Sequence, residues 1–227
     1  MDKKNLRRIY LNNMPLYKVE YENIQIFFLF VHIPKTGGTS ITKFFKLLKF
    51  SETYGKDNIF RQFLKETPQH FTYNTLNNLI DINKLEFSFA IIRDPFDRII
   101  SSYFWSKINT NHAEVLKKIN FETWFNHYSE IYKQNINVLS NHLIPQNMFV
   151  GQNIKRIYKF EDGVHNIFKD VMKCLNIIIK DDYKFPHINK TSAKNKSEIK
   201  KIKESKHVRK MIYDFYKEDY DLYDKLF

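Results

Sequence analysis

A chain of 227 residues with 43% hydrophobic content and a formal net charge of +12 can bury one substantial core, and a single domain is the expected organisation. Its one cysteine, Cys174, excludes an intrachain disulfide, favours a reducing compartment and suits a small apolar packing role. The basic balance brings nucleic-acid binding to mind, but zinc-finger spacing, an RNA-recognition signature and a basic zipper are all missing.

Residues 1–22 read as an N-terminal extension and residues 23–227 as the domain. The opening MDKKNLRRIY is charged and lacks the following apolar stretch of a secretory signal. The apolar run Ile26 to Ile33 halts at Pro34, far short of the roughly 20 residues that span a bilayer, so it reads as a core strand. With the wealth of Lys, Asn and Ile, which suggests an AT-rich coding genome, these features make a bacterial cytoplasmic protein the expected setting.

A first strand and helix are expected over Gln25 to Phe50, followed by a polar stretch from Ser51 to Gln69 and a short helix over Tyr73 to Ile80. Glu86 to Ile92 reads as a second strand feeding a helix from Pro95 to Lys107. Phe121 to Tyr132 and Val164 to Ile178 show helical apolar spacing, and Lys155 to Phe160 suits a further strand. Lys194 to Lys225 is expected to be mostly helical, basic first and aromatic later. No repeat or long Pro/Gly linker divides the chain. Strands alternating with helices predict an α/β fold with a mainly parallel sheet covered on both faces, and ligand sites at the carboxyl ends of its strands.

Two segments carry chemistry. In Phe27 to Ser40, FFLFVHIPKTGGTS, a strand passes directly into a turn with two adjacent glycines. Gly37 and Gly38 let successive backbone N–H groups turn toward one anion, and a helix starting near Thr39 adds its positive end. Lys35 supplies a mobile charge, and Thr36, Thr39 and Ser40 offer hydroxyls. This is not the ATPase arrangement, in which Lys follows the last glycine as G-K-[ST]; here Lys35 precedes both glycines. Read blandly, the Gly-Gly pair is a tight turn after a strand. In Phe87 to Tyr103, FSFAIIRDPFDRIISSY, a second strand breaks at a proline, with Arg93 at its exit and Ser101 about two turns into the following helix.

HIPKTGGTS followed by RDPFDRIISSY resembles the sulfotransferases that use 3′-phosphoadenosine 5′-phosphosulfate (PAPS), in the carbohydrate branch that includes heparan and chondroitin sulfotransferases. Weaker features fall in the same order from Ile24 to Tyr223: Pro68-Gln69-His70-Phe71-Thr72, Leu143-Ile144-Pro145-Gln146, Tyr158-Lys159-Phe160-Glu161, His187 to Ser192, and Ile212-Tyr213 through Asp219-Tyr220. The resemblance implies a P-loop-type three-layer αβα sandwich. It implies that the first motif holds the 5′-phosphosulfate and that Arg93 and Ser101 of the second grip the 3′-phosphate. It also implies a sulfuryl transfer from PAPS to a carbohydrate hydroxyl, with PAP as product and no metal required.

Such a transfer needs a base for the acceptor hydroxyl and a charge for the departing phosphate. His70 is the candidate base, since a histidine can accept a proton at neutral pH. Lys35 is the candidate for the leaving phosphate, with the amides of Gly37, Gly38 and Thr39 sharing the load. His32 is expected to support the cradle and His187 to serve as a reserve base or cofactor contact. Glu161 is expected to open the following helix rather than act as an acid, and Arg98 is either a cofactor-site residue or, in the preferred structural role, a partner for Asp94 or Asp97. Between Lys190 and Lys210 nine Lys/Arg face two Glu, either an electropositive rim for an anionic ligand or a solvated helix face. A nucleotide kinase or NTPase, and a non-catalytic nucleotide-binding module, are the rival readings; against the first stands the absence of G-K-[ST] and of a Mg²⁺-holding carboxylate at a strand end.

Overall fold

The first described element is a hairpin whose first strand lies within the residues 1–22 expected as an N-terminal extension. In the computed structural model, which describes residues 16–52, 67–179 and 195–226, β1 (Leu16–Tyr21) pairs antiparallel with β2 (Ile24–Val31), in register from Leu16↔Leu29 to Tyr21↔Ile24. The overlooked signal is an alternation: Tyr17 and Val19 are buried while Lys18 and Glu20 are not, the period of a strand with one covered face. Glu22 and Asn23 make the turn with φ of 49° and 66°, the left-handed pair that matches strand twist in a two-residue hairpin.

Next come α1 (Gly38–Leu47), a two-residue strand β3 (Ser51–Glu52) antiparallel to β1, and α2 (Tyr73–Leu79). Strand β4 (Phe87–Ile92) pairs parallel with β2, and β5 (Arg156–Lys159) pairs parallel with β4. The order β3-β1-β2-β4-β5 thus joins a parallel unit, β2-β4-β5, to an antiparallel edge. All six residues of β4 are buried, as expected of a parallel strand covered on both faces.

Alternate side chains divide between two cores. Phe28, Phe30, Phe89 and Ile91 pack with Ile41, Phe44 and Phe45 of α1 and Phe168 and Val171 of α6 (Val164–Cys174). Leu29, Val31, Ala90 and Ile92 face Phe71, Leu76, Ile144 and Phe149 on the other side. A third cluster unites α3 (Pro95–Asn109), α5 (Phe121–Gln134) and α8 (Lys206–Phe215) through Ile99, Tyr103, Trp124, Phe125 and Ile212. A single turn of helix, α4 (Ala113–Leu116), joins α3 to α5.

One expected helix differs from the sequence reading, and the C-terminal stretch is mostly helical as expected. The one proposed from Val164 to Ile178 stops at Cys174, because Asn176 turns left-handed at φ 56° and Ile177 N–H bonds back to Met172 O, a helix-ending motif that the apolar spacing does not reveal. The C-terminal stretch is three helices, α7 (Lys196–Glu204), α8 and α9 (Lys217–Lys225). Ser205 makes the first break by accepting from Val208 N–H, an N-cap. The basic pair α7–α8 docks on the start of α3, with Lys203 2.6 Å from Asp97 and the Arg209 guanidinium 4.8 Å from the Phe96 ring centroid. No helix among the described residues is long and apolar enough to cross a membrane.

Candidate active site

The carboxyl ends of the adjacent parallel strands β2 and β4 deliver the two motifs to one place. After Val31 the chain turns sharply: Thr36 Oγ1 donates to Ile33 O at 2.9 Å, Lys35 has φ 70° and Gly37 φ 86°. Gly37 is the N-cap of α1 and no side chain caps that end; Ser40 N–H is taken by Gly37 O at 2.9 Å, and the amides of Gly38 and Thr39 have no capping side chain among the described residues. Both glycines are required by close approach as well. A Cβ at Gly38 would lie 2.0 Å from His32 Nε2, and one at Gly37 would lie 2.9 Å from Phe160 and Val164 side-chain carbons. Lysine at Lys35 has no such freedom, and its left-handed backbone costs on the order of 1 kcal/mol.

The hydroxyls of the cradle are not equivalent. Thr39 is exposed, Ser40 nearly buried and Thr36 fully buried. With its hydroxyl donated to Ile33 O, Thr36 fastens the turn that carries Lys35.

Lys35 sits half-buried, with Nζ 6.0 Å from the Trp105 ring centroid. Burial first, and then the Arg93 charge, bring its pKa down to about 8. Arg93 leaves β4 and reaches back, Nη1 donating to Lys35 O at 3.2 Å, so the two motifs meet in a hydrogen bond. Its guanidinium lies 4.6 Å from the Phe160 ring centroid, and its Nε is buried without a partner among the described residues. Gln146 holds the Arg93 backbone, Oε1 accepting from N–H at 2.9 Å and Nε2 donating to O at 2.8 Å.

His70 stands in the 3₁₀ turn Pro68–His70, with Nδ1 2.7 Å from His32 O. A carbonyl only accepts, so Nδ1 carries a proton, and in the neutral ring the lone pair lies on Nε2. Asn141 Nδ2 donates to His70 O at 2.9 Å and fixes the turn from behind. His32 packs edge-on against His70, 4.8 Å between ring centroids, and its Nδ1 meets Gln69 Nε2 at 2.9 Å. Burial first, then the neighbouring His70 and Lys35, disfavour its protonation and hold its pKa well below the usual histidine range. His32 therefore supports both the cradle and the candidate base.

Other expected residues fall differently. Ser101 is half-buried on the second turn of α3, and the described residues contain no hydrogen bond between it and Arg93. Arg98 is 0% exposed and donates to His142 O at 3.2 Å and Ile144 O at 3.1 Å. Its carboxylate is Asp219 at 3.7 Å, which corrects the proposed pairing with Asp94 or Asp97. Asp94 instead caps α3 by accepting from Asp97 N–H at 2.8 Å. Glu161 lies, as expected, in the first turn of the helix after β5, the 3₁₀ turn Phe160–Asp162 that leads into α6, and it accepts from Asp94 N–H at 3.1 Å. His187 lies outside the described residues, as does most of the stretch Ser51 to Gln69.

Sequence reasoning missed Gln146, His142 and Trp105 as site residues. Pro145-Gln146 was visible as an element without a role, and Trp105 is one more apolar residue on a helix until its neighbours are known. Among the described residues no group of three His, Cys, Asp or Glu is placed to hold a metal ion.

In comparison with known proteins, no curated protein and no solved structure matches the chain. The family model described as Sulfotransferase family matches residues 24–225, a span that contains β2, both strand exits, His70, Gln146 and the helices behind them. The chain therefore belongs to the sulfotransferase family, and the uncapped helix start beside Lys35, bonded to Arg93 at the ends of neighbouring parallel strands, is its candidate site.

Proposed function

We propose that the chain transfers a sulfuryl group from PAPS to a hydroxyl of a carbohydrate acceptor, in line. What supports the reading is the meeting of Lys35 and Arg93 through the Arg93 Nη1 to Lys35 O bond, which sets two cations beside the uncapped start of α1. Buried Arg93 Nε, with no partner among the described residues, and Gly37, whose Cβ would close the turn, fit an anionic nucleotide. Lys35, Thr36, Gly37, Gly38, Thr39 and Ser40 would hold the 5′ end, and Arg93 and Ser101 the 3′-phosphate. Bound there, PAPS supplies an activated sulfuryl group with a good phosphate leaving group.

The chain's own residues supply the rest. His70 receives the acceptor proton at Nε2, its ring oriented by the Nδ1 bond to His32 O. Lys35 neutralises charge on the departing phosphate oxygen, and the helix amides of α1 share it. The single cysteine and the Lys-, Asn- and Ile-rich composition support a bacterial cytoplasmic setting for the reaction.

Calorimetric titration with PAP, beside ATP with Mg²⁺, tests this on the wild type and Arg93→Ala. Metal-independent PAP binding that weakens about 10–100-fold in the variant, the scale of a hydrogen-bonded charge, is the expected result. Binding of ATP with Mg²⁺ alone would overturn it in favour of a kinase or NTPase.

A further inference from the structure

His142 belongs to no role assigned so far, yet it lies between the two groups proposed to do the chemistry. Its ring is 4% exposed and stacks on Trp105, centroids 3.9 Å apart with planes at 30°. The same Trp105 takes the Lys35 ammonium at 6.0 Å, and the His142 ring meets His70 edge-on at 5.6 Å. Arg98 pins the backbone by donating to His142 O at 3.2 Å.

The protonation state of this ring follows from its surroundings. Burial first, followed by the neighbouring His70, Lys35, Arg98 and His32, disfavours its protonation and lowers its pKa well below the usual histidine range, so the ring is neutral. A neutral imidazole has one N–H and one lone pair. Its Nδ1 is buried with no hydrogen-bond partner among the described residues. An orphaned N–H is the rarer and costlier of the two possibilities, which puts the lone pair on Nδ1 and the proton on Nε2. His70 has the opposite tautomer, since its Nδ1 proton is held by His32 O. One imidazole that accepts at Nε2 and one that donates at Nε2 therefore stand edge to edge.

Building on the sulfuryl-transfer reading above, we infer that His142 is a further catalytic residue whose Nε2–H donates to an anionic oxygen of the sulfuryl group in transfer. His70 takes the proton of the acceptor hydroxyl as that oxygen bonds to sulfur. Lys35 takes the charge left on the 5′-phosphate when the old sulfur–oxygen bond breaks, and His142 neither gains nor loses a proton. A neutral donor in this place avoids burying a third cation beside Lys35 and Arg93.

The test is long-range ¹H–¹⁵N spectroscopy of histidine-labelled protein, alone, with PAP and with PAPS. His142 should show the Nε2–H tautomer, and that resonance should move with PAPS but not with PAP, which lacks the sulfuryl group. In parallel, His142→Phe keeps the ring on Trp105 and His142→Gln keeps an N–H donor. The preference for PAPS over PAP should fall about tenfold in the first, the scale of a hydrogen bond to a charged group, and stay within threefold in the second, with PAP affinity unchanged in both. An Nδ1–H tautomer, or the same response to both nucleotides, overturns the inference even if His142→Phe fails to fold. Failure of either nucleotide to bind removes the sulfuryl-transfer reading, and the inference with it.

Discussion

Gln146 grips the backbone of Arg93 from both sides, Oε1 accepting its N–H at 2.9 Å and Nε2 donating to its O at 2.8 Å. One fully buried side-chain amide thereby extends β4 beyond its last ladder bond and sets the direction in which Arg93 leaves the strand. The next residue, Asn147, donates its N–H to Asp219 Oδ1 at 2.9 Å, so α9 braces the clamp.

Gln146→Ala should therefore destabilise the fold by about 2–3 kcal/mol, the scale of two buried bonds lost with their partners left unpaired. PAP affinity should weaken in the same variant because Arg93 is no longer aimed. Urea unfolding and calorimetry read the two effects separately, and unchanged PAP affinity in a folded variant would reduce Gln146 to a purely structural residue.

His70→Ala should lower turnover about 10²–10⁴-fold, the usual contribution of a general base, while PAP binding stays within threefold. Labelled sulfate transfer from PAPS to a panel of saccharide acceptors gives the first quantity and calorimetry the second. Undiminished turnover would take His70 out of the chemistry.

Lys35 titrates at about 8 because burial and Arg93 disfavour its charge. Ligand binding needs the ammonium, so PAP affinity should fall as pH rises through about 8, and this break should vanish in Lys35→Met. Stability runs the other way. Between about 8 and the ordinary lysine value of 10.5 the unfolded chain binds the extra proton, so the unliganded protein gains stability over that window relative to Lys35→Met. Thermal unfolding of both proteins across this range checks the sign.

Gly38→Ala should disrupt the cradle, because its Cβ would meet His32 Nε2 at 2.0 Å; overpacking of this kind costs typically 1–3 kcal/mol. His32→Ala opens the space, so the double variant should recover part of the loss. A double-mutant cycle of unfolding free energies measures the coupling, and simple additivity would mean that the helix start shifts to make room.

Much of the site was legible because its two motifs are local. A strand, a turn with Lys35, Gly37 and Gly38, and a helix form a continuous stretch, as do β4, Arg93 and the proline-started α3, so apolar runs and turn residues suffice to place them. His70 was legible only through its likeness to a family pattern; nothing about a histidine between Gln69 and Phe71 shows that its Nδ1 will meet the carbonyl of His32. The hairpin strand β1 was legible in its alternation and was passed over.

The sequence by itself determined the strand exits, the order of the elements and the family of the chain, since each rests on short-range pattern. Only the tertiary structure decided that Gln146 holds Arg93, that Arg98 pairs with Asp219 rather than Asp94 or Asp97, that Thr36 turns inward, and that Trp105 links Lys35 to His142. The physical reason is that hydrogen bonds and ring contacts depend on which backbone carbonyls and side chains the packed sheet brings within about 3–6 Å. Residues 53 positions apart, such as Arg93 and Gln146, carry no periodicity that announces their meeting.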